Sequence, residues 1–134
     1  MDLTIQVVHA KEIVRVIPHV VLDSKNMGEM LLVAVTLTIP AEDPNILFDC
    51  RMTTVQMTLT DVTGVVKVAL DHRDRFRRKL AFLLPKDGIG YTLIKFLEVY
   101  ATNRGIRIQV FDSFEEAFNW LMPSPTAVTP DDDG

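Results

Sequence analysis

The sequence predicts an α/β fold, a mixed sheet that opens with an antiparallel hairpin and continues in parallel strands, in the order β-β-α-β-α-β-α-β-α. Three observations carry this. Residues 106–121 read as a strand, a two-residue turn and a helix: Ile106, Ile108 and Val110 alternate with Arg107 and Gln109, and Phe114, Ala117, Phe118 and Leu121 fall on one helical face. Residues 45–49 and 80–84 are short, nearly continuous apolar runs, the pattern of strands buried on both faces. Residues 3–8 and 13–17 are β-branched runs separated by His9-Ala10-Lys11-Glu12, a spacing that suits a hairpin. Alternating strands and helices joined by short loops place the later strands parallel, with right-handed crossovers.

The remaining elements follow in order. Asp23 or Ser24 can cap a first helix, on which Met27, Met30, Leu31, Ala34 and Leu37 share a face. Residues 33–39 also have strand propensity, but the i, i+3, i+4, i+7 spacing and the stop at Pro40 decide for a helix. Residues 41–44 form a loop. Thr58 or Thr60 starts a long helix with Val62, Val65, Val66, Ala69 and Phe76 turned inward. Arg73, Arg75, Arg77 and Arg78 are expected in its last turn, where cations complement the negative helix end. Pro85 stops the next strand, and Asp87-Gly88 turns the chain into a helix over 89–103. Leu93, Phe96, Leu97 and Tyr100 share a face of that helix, and Gly105 sits where a glycine cap belongs. Ser113 and Glu116 form a capping box for the last helix, whose Trp120 is expected to cover the sheet edge. One domain over 1–122 results, followed by 123–134, expected to be a disordered acidic tail with three prolines and three aspartates.

Composition narrows the function classes. An apolar content of 48% and a mean hydropathy of +0.18 suffice for a core. The net charge is −4, and Asp131, Asp132 and Asp133 supply three of those negatives, so no field suited to nucleic acid is expected. The single cysteine, Cys50, excludes an internal disulfide and fits a reducing compartment. The start Met1-Asp2 does not read as a signal peptide, and the longest uncharged apolar run, 30–41, is shorter than the ~20 residues that span a bilayer. A cytoplasmic domain without an integral membrane segment is expected.

The chemistry-bearing residues mostly read as structural. Cys50 lies between Asp49 and Arg51, but residues 52–57 contain neither arginine nor glycine to cradle an anion, and Asp49 raises the thiol pKa; a buried inert thiol is expected. His9, His19 and His72 show no metal spacing, so no metal site is expected. Asp87-Gly88-Ile89-Gly90 lacks the lysine-threonine sequel of a phosphate-cradling loop and reads as a turn and helix start. The cluster Arg73–Lys79 reads as a solvated face, the alternative being contact with an acidic partner or lipid head groups. Met27 and Met30 fill core gaps or line an adaptable apolar pocket. No catalytic residue and no cofactor site emerges, so the chain is not expected to be an enzyme.

The opening hairpin, Ile46-Leu47-Phe48-Asp49, Lys79-Leu80-Ala81-Phe82 and the segment Arg107–Leu121 together resemble the STAS-like domains related to bacterial anti-sigma-factor antagonists. The likeness is greatest to the small stand-alone branch ending in v-F-x-x-x-x-E-A-x-x-W-L, which residues 110–121 match. The resemblance implies a mixed sheet with helices against it, no catalytic machinery, and binding of a protein partner or of a second copy as a homodimer. Phosphorylated members carry Asp-Ser-Ser-Gly-Leu at a helix start. Asp61-Val62-Thr63-Gly64-Val65 is the nearest match here, with Val62 in place of the first serine, and it implies Thr63 as phosphoacceptor. The alternative is a threonine-rich helix start in which Thr58 or Thr60 caps and Gly64 lets another element approach. The expected partner-binding face comprises Asp49, Arg51, Thr58, Thr60, Asp61 and Gly64. The same architecture resembles the CRAL-TRIO lipid-transfer domains, which gives a second expectation: a small apolar ligand held between the first helix and the sheet.

Overall fold

A computed structural model describes residues 2–8, 13–37 and 44–122. The hairpin turn at 9–12, the stop and most of the loop at 38–43, and the expected tail at 123–134 lie outside the described residues. Leu3–Val8 (β1) and Ile13–Pro18 (β2) pair antiparallel, and Asn45–Asp49 (β3), Leu80–Leu83 (β4) and Ile108–Phe111 (β5) add in parallel. The helices are Ser24–Leu37 (α1), Leu59–Asp71 (α2), Ile89–Thr102 (α3) and Phe114–Leu121 (α4).

Strand order in the sheet equals chain order, β1-β2-β3-β4-β5. Three right-handed crossovers that all advance in one direction must put their helices on the same face, so α1, α2 and α3 form one layer. α4 follows the last strand, belongs to no crossover, and packs on the other face against β3, β4 and β5. Strand alternation therefore feeds two cores. Val14, Val16, Ile46, Phe48, Leu80, Phe82, Ile108 and Val110 face the three-helix layer, where Phe48 and Phe82 stack at 4.8 Å. Ile13, Leu47, Ala81, Leu83 and Phe111 face α4, meeting Ala117 and Leu121.

The caps explain the element boundaries. Asp23, not Ser24, caps α1: its Oδ1 accepts the Asn26 N–H at 2.8 Å. Met27, Met30, Leu31 and Ala34 are buried beneath that helix as its spacing requires. Thr58, not Thr60, caps α2. Its Oγ1 accepts the Asp61 N–H at 3.1 Å while the Asp61 carboxylate accepts the Thr58 N–H at 3.0 Å. Thr58→Ala is expected to lower stability by about 1 kcal/mol, read as a drop in melting temperature without change of fold. α3 ends in a Schellman motif: Ile106 N–H bonds Ala101 O, Gly105 N–H bonds Thr102 O, and Gly105 takes φ +89°, which a glycine adopts without a Cβ penalty. Ser113 Oγ accepts the Glu116 N–H at 3.3 Å and so starts α4.

Three expectations are corrected. α2 stops at Asp71, so the arginines do not occupy its last turn. The chain must descend from the helix layer to the sheet before β4, and it does so through a 3-10 turn at Arg73–Arg75 that turns Phe76 into the core. Arg78 lies on no solvated face: it is buried, and its Nη1 donates to the Pro44 carbonyl oxygen. The inward face of α3 is Leu93, Ile94, Leu97 and Ala101, rotated away from Phe96 because α3 packs on both α2 and β5. Trp120 stands over the edge strand, 5.7 Å from the Phe111 ring, with Lys79 Nζ 5.3 Å from its own ring centre.

Candidate functional site

β3 ends in Asp49, and alternation decides what that carboxylate meets. Leu47 and Asp49 face the α4 side, while Phe48 and Cys50 face the other core. Arg15 of β2 lies on the same side, one strand over, paired in register with Leu47. Its Nε donates to Asp49 Oδ2 at 3.1 Å, and its Nη2 donates to the same oxygen. Arg51 folds back from the following turn as a two-pronged fork. Its Nε donates to Oδ1 and its Nη2 to Oδ2, both at 2.9 Å, and its own N–H donates to Oδ1. Both guanidinium carbons lie about 6 Å from the centre of the Phe114 ring, at the start of α4.

Asp49 is only 4% exposed. Burial pushes its carboxyl up, but the hydrogen bonds from Arg51 and Arg15 more than reverse this and hold it at about 2. The neighbouring Cys50 has no such help. Complete burial and then the Asp49 charge push the thiol far above its ordinary range, so no thiolate is available at neutral pH.

Arg51 also lines a cleft of about 200 Å³ on the end of the sheet, between the β3–α2 connection and the β4–α3 turn. Thr53, Thr54, Val55, Pro85, Ile89 and Gly90 form its other walls. A Cβ on Gly90 would stand 3.1 Å from both Leu84 Cδ2 and Val55 Cγ2, so a side chain there would push both back by a few tenths of an ångström. The connection is pinned to the β2–α1 loop. Leu22 N–H bonds Thr54 O, Gln56 N–H bonds Leu22 O, and the Thr53 hydroxyl donates to Val20 O. Large apolar side chains stand exposed around this end: Val21, Met52 (91%), Leu59 (55%), Ile89 (70%) and Phe114.

The anticipated site residues fall into two groups at this one end. Asp49 and Arg51 join in the ion-pair cluster on the α4 side; Thr58, Thr60, Asp61, Thr63 and Gly64 lie along the first two turns of α2, in the layer on the other face. Asp49, being buried, can meet a partner only through the arginines it holds. Thr58 and Asp61 are engaged in the capping box, and Thr60 is exposed. Thr63 stands a turn further in, its hydroxyl donating to Thr60 O at 2.7 Å, and Gly64 opens onto free space. Sequence reasoning missed Arg15 and the exposed apolar residues. It put Phe114 on the apolar face of the last helix, whereas α4 buries Ala117 and Leu121 and leaves Phe114 exposed beside the two arginines. Arg15 had a signal, as the one charge in the β-branched run 13–17. Met52, Leu59 and Ile89 had none, since exposure of a single apolar residue leaves no periodic trace. Among the described residues no cluster of His, Cys, Asp and Glu is placed to hold a metal, and no helix is long and apolar enough to cross a membrane.

Comparison with solved structures bears on the fold. An uncharacterized protein of the DUF3478 family from Shewanella loihica PV-4, with a SpoIIAA-like fold, matches 90% of this chain and 92% of its own, at a TM-score of 0.56 and 14% identity. The fold is SpoIIAA-like. No protein-family model matches the sequence, and no curated protein is significantly similar to it. The STAS-like resemblance carried by residues 107–121 is thus a likeness of fold. Within the SpoIIAA-like fold, the Asp49 cluster and the start of α2 both lie where the parallel strands end, the position at which open α/β sheets place their sites.

Proposed function

We propose that this SpoIIAA-like domain is a non-enzymatic interaction module that docks a polypeptide, either another protein or a second copy of itself, through the end of the sheet around Arg51 and the start of α2. The observation that carries this reading is the set of exposed apolar side chains at that end, Met52, Leu59 and Ile89 above all. Apolar area left in water forgoes roughly 25 cal/mol per Å², which burial against a partner recovers. Thr58, Thr60, Asp61 and Arg51 supply the polar rim that such interfaces carry. Arg51 is held by Asp49 and Phe114, so it loses little freedom on docking. A phosphate on Thr63 would add a charge of about −1.5 to −2 beside that rim and weaken docking. Met27 and Met30 are fully buried, which favours core filling over a ligand pocket beneath α1.

Native mass spectrometry of the protein purified from its own cells tests the reading. A homodimer or a stoichiometric second polypeptide is expected, with its affinity reduced roughly tenfold or more by Met52→Asp with Ile89→Asp, both exposed positions. Thr63→Asp should weaken it in the same direction. A monomer carrying a lipid-sized mass, unaffected by these changes, would overturn the reading in favour of an apolar-ligand carrier.

A further inference from the structure

The opposite end of the sheet carries a second cleft, independent of the docking surface. It measures about 230 Å³ and opens between the Arg73–Arg75 turn and the bend at Arg104-Gly105. Phe76 and Ile106, 1% and 2% exposed, form its floor. Arg73, Arg77 and Arg104 line its walls, and Asp74 is the one carboxylate among them.

The walls are built rather than loose. Phe76 N–H bonds Arg73 O and closes the 3-10 turn, while the Schellman motif fixes Gly105 and Ile106. The Arg104 guanidinium lies 3.6 Å from the centre of the Tyr100 ring, and its Nη1 donates to Tyr100 O at 3.0 Å. Arg107 reaches across from the β5 side to bond Arg77 O, tying the two halves of the cleft together. Arg73 Nε donates to Leu70 O. These bonds go to neutral carbonyls and use one of the five N–H donors that each guanidinium carries. Arg15, Arg51, Lys67 and Lys95 each have a carboxylate partner. Arg73, Arg77 and Arg104, like several other surface cations, form no ion pair with a described carboxylate, but these three line one cavity. Three positive charges around one cavity outnumber its single carboxylate, Asp74, and so favour the entry of an anion.

We propose that this cleft binds a phosphate-bearing small molecule, its phosphate oxygens held by the forked guanidiniums of Arg77, Arg104 and Arg73 and its less polar part resting on Phe76 and Ile106. A three-oxygen dianion offers matching acceptors to several forks at once, which a single carboxylate does not. The same chemistry is presented by a soluble phosphate ester or by a lipid phosphate head group.

The test is a titration of the full chain with pyrophosphate, followed by NMR of the arginine Nε–H groups and the Gly105 amide. Saturable shifts are expected at Arg73, Arg77, Arg104 and Gly105, with Arg15 and Arg51 unmoved and affinity falling as salt rises. Arg77→Gln and Arg104→Gln should each weaken binding roughly tenfold or more. Arg104→Lys should weaken it nearly as much, because the charge stays but the fork is lost. Both positions are exposed, so the variants should melt like the parent. Co-sedimentation with phosphatidic acid vesicles but not phosphatidylcholine, abolished by Arg104→Gln, would assign the phosphate to a lipid; pyrophosphate binding without co-sedimentation would assign it to a soluble ligand. Failure of both, shifts spread equally over all arginines, or undiminished binding by Arg104→Lys would overturn the proposal.

Discussion

Phe82→Ala is expected to lower the unfolding free energy by about 3–5 kcal/mol, the range for deleting a buried aromatic ring. Phe82 is fully buried at the centre of β4 and stands opposite Phe48 of β3 in the parallel register. The two rings stack at 4.8 Å with planes 21° apart, so each forms part of the other's cavity wall. Removing one leaves a void in the larger core, where β3 and β4 cannot close up without breaking their ladder. Urea unfolding should show the midpoint falling with its slope unchanged. A domain this size has a total stability of roughly 5–15 kcal/mol, so the variant sits near its limit, and Phe82→Leu supplies a milder second measurement. The double variant with Phe48→Leu should show coupling of about 0.5–1.5 kcal/mol. A loss below about 1 kcal/mol for Phe82→Ala would mean that the core repacks around the gap, contrary to close packing.

Those two phenylalanines also show which parts of the fold were legible in the sequence. Both lie in short, nearly continuous apolar runs, the pattern of strands covered on two faces, so β3 and β4 were readable without a structure. α1 was readable against the strand propensity of 33–39, because Met27, Met30, Leu31 and Ala34 recur at the helical period and all four are buried. Periodicity failed where burial is set by neighbours. Phe96 shares a helical stripe with Leu93 and Leu97, yet α3 is turned toward Ile94 by having both α2 and β5 to cover. The stretch 72–79 misled for a related reason. Its arginines look like a helix end, but their direction is decided by Phe76 and Arg78 turning inward on the way to β4. Long-range charge pairing was least legible. Asp49 and Arg51 are neighbours in sequence, but Arg15 joins them only through the β2–β3 register, and the burial that makes the cluster matter is a property of the assembled sheet.

That cluster gives the second large effect. Asp49→Asn keeps the side chain's shape but removes the charge that gathers two guanidiniums, and it is expected to cost about 2 kcal/mol at neutral pH. Arg15 and Arg51 retain 27% and 43% side-chain exposure, so water screens part of what a wholly buried cluster would lose. The pH dependence follows from the sign of the shift. The carboxyl is held at about 2 in the fold, below its ordinary value of 3.8. The folded state therefore releases this proton more readily than the unfolded chain does, and the stabilisation is fully present above the unfolded value. It is lost as pH falls toward 2. Parent and variant should then differ by a constant amount at neutral pH and converge through the acid range, measured as urea midpoints at a series of pH values. A gap that stays constant down to pH ~2 would assign the loss to packing rather than to the charge. The same substitution releases Arg51 from its fork. If Arg51 acts at the docking surface through the orientation that Asp49 imposes, Asp49→Asn weakens docking even though Asp49 itself is covered, whereas Phe82→Leu lowers stability and leaves docking by the folded fraction unchanged.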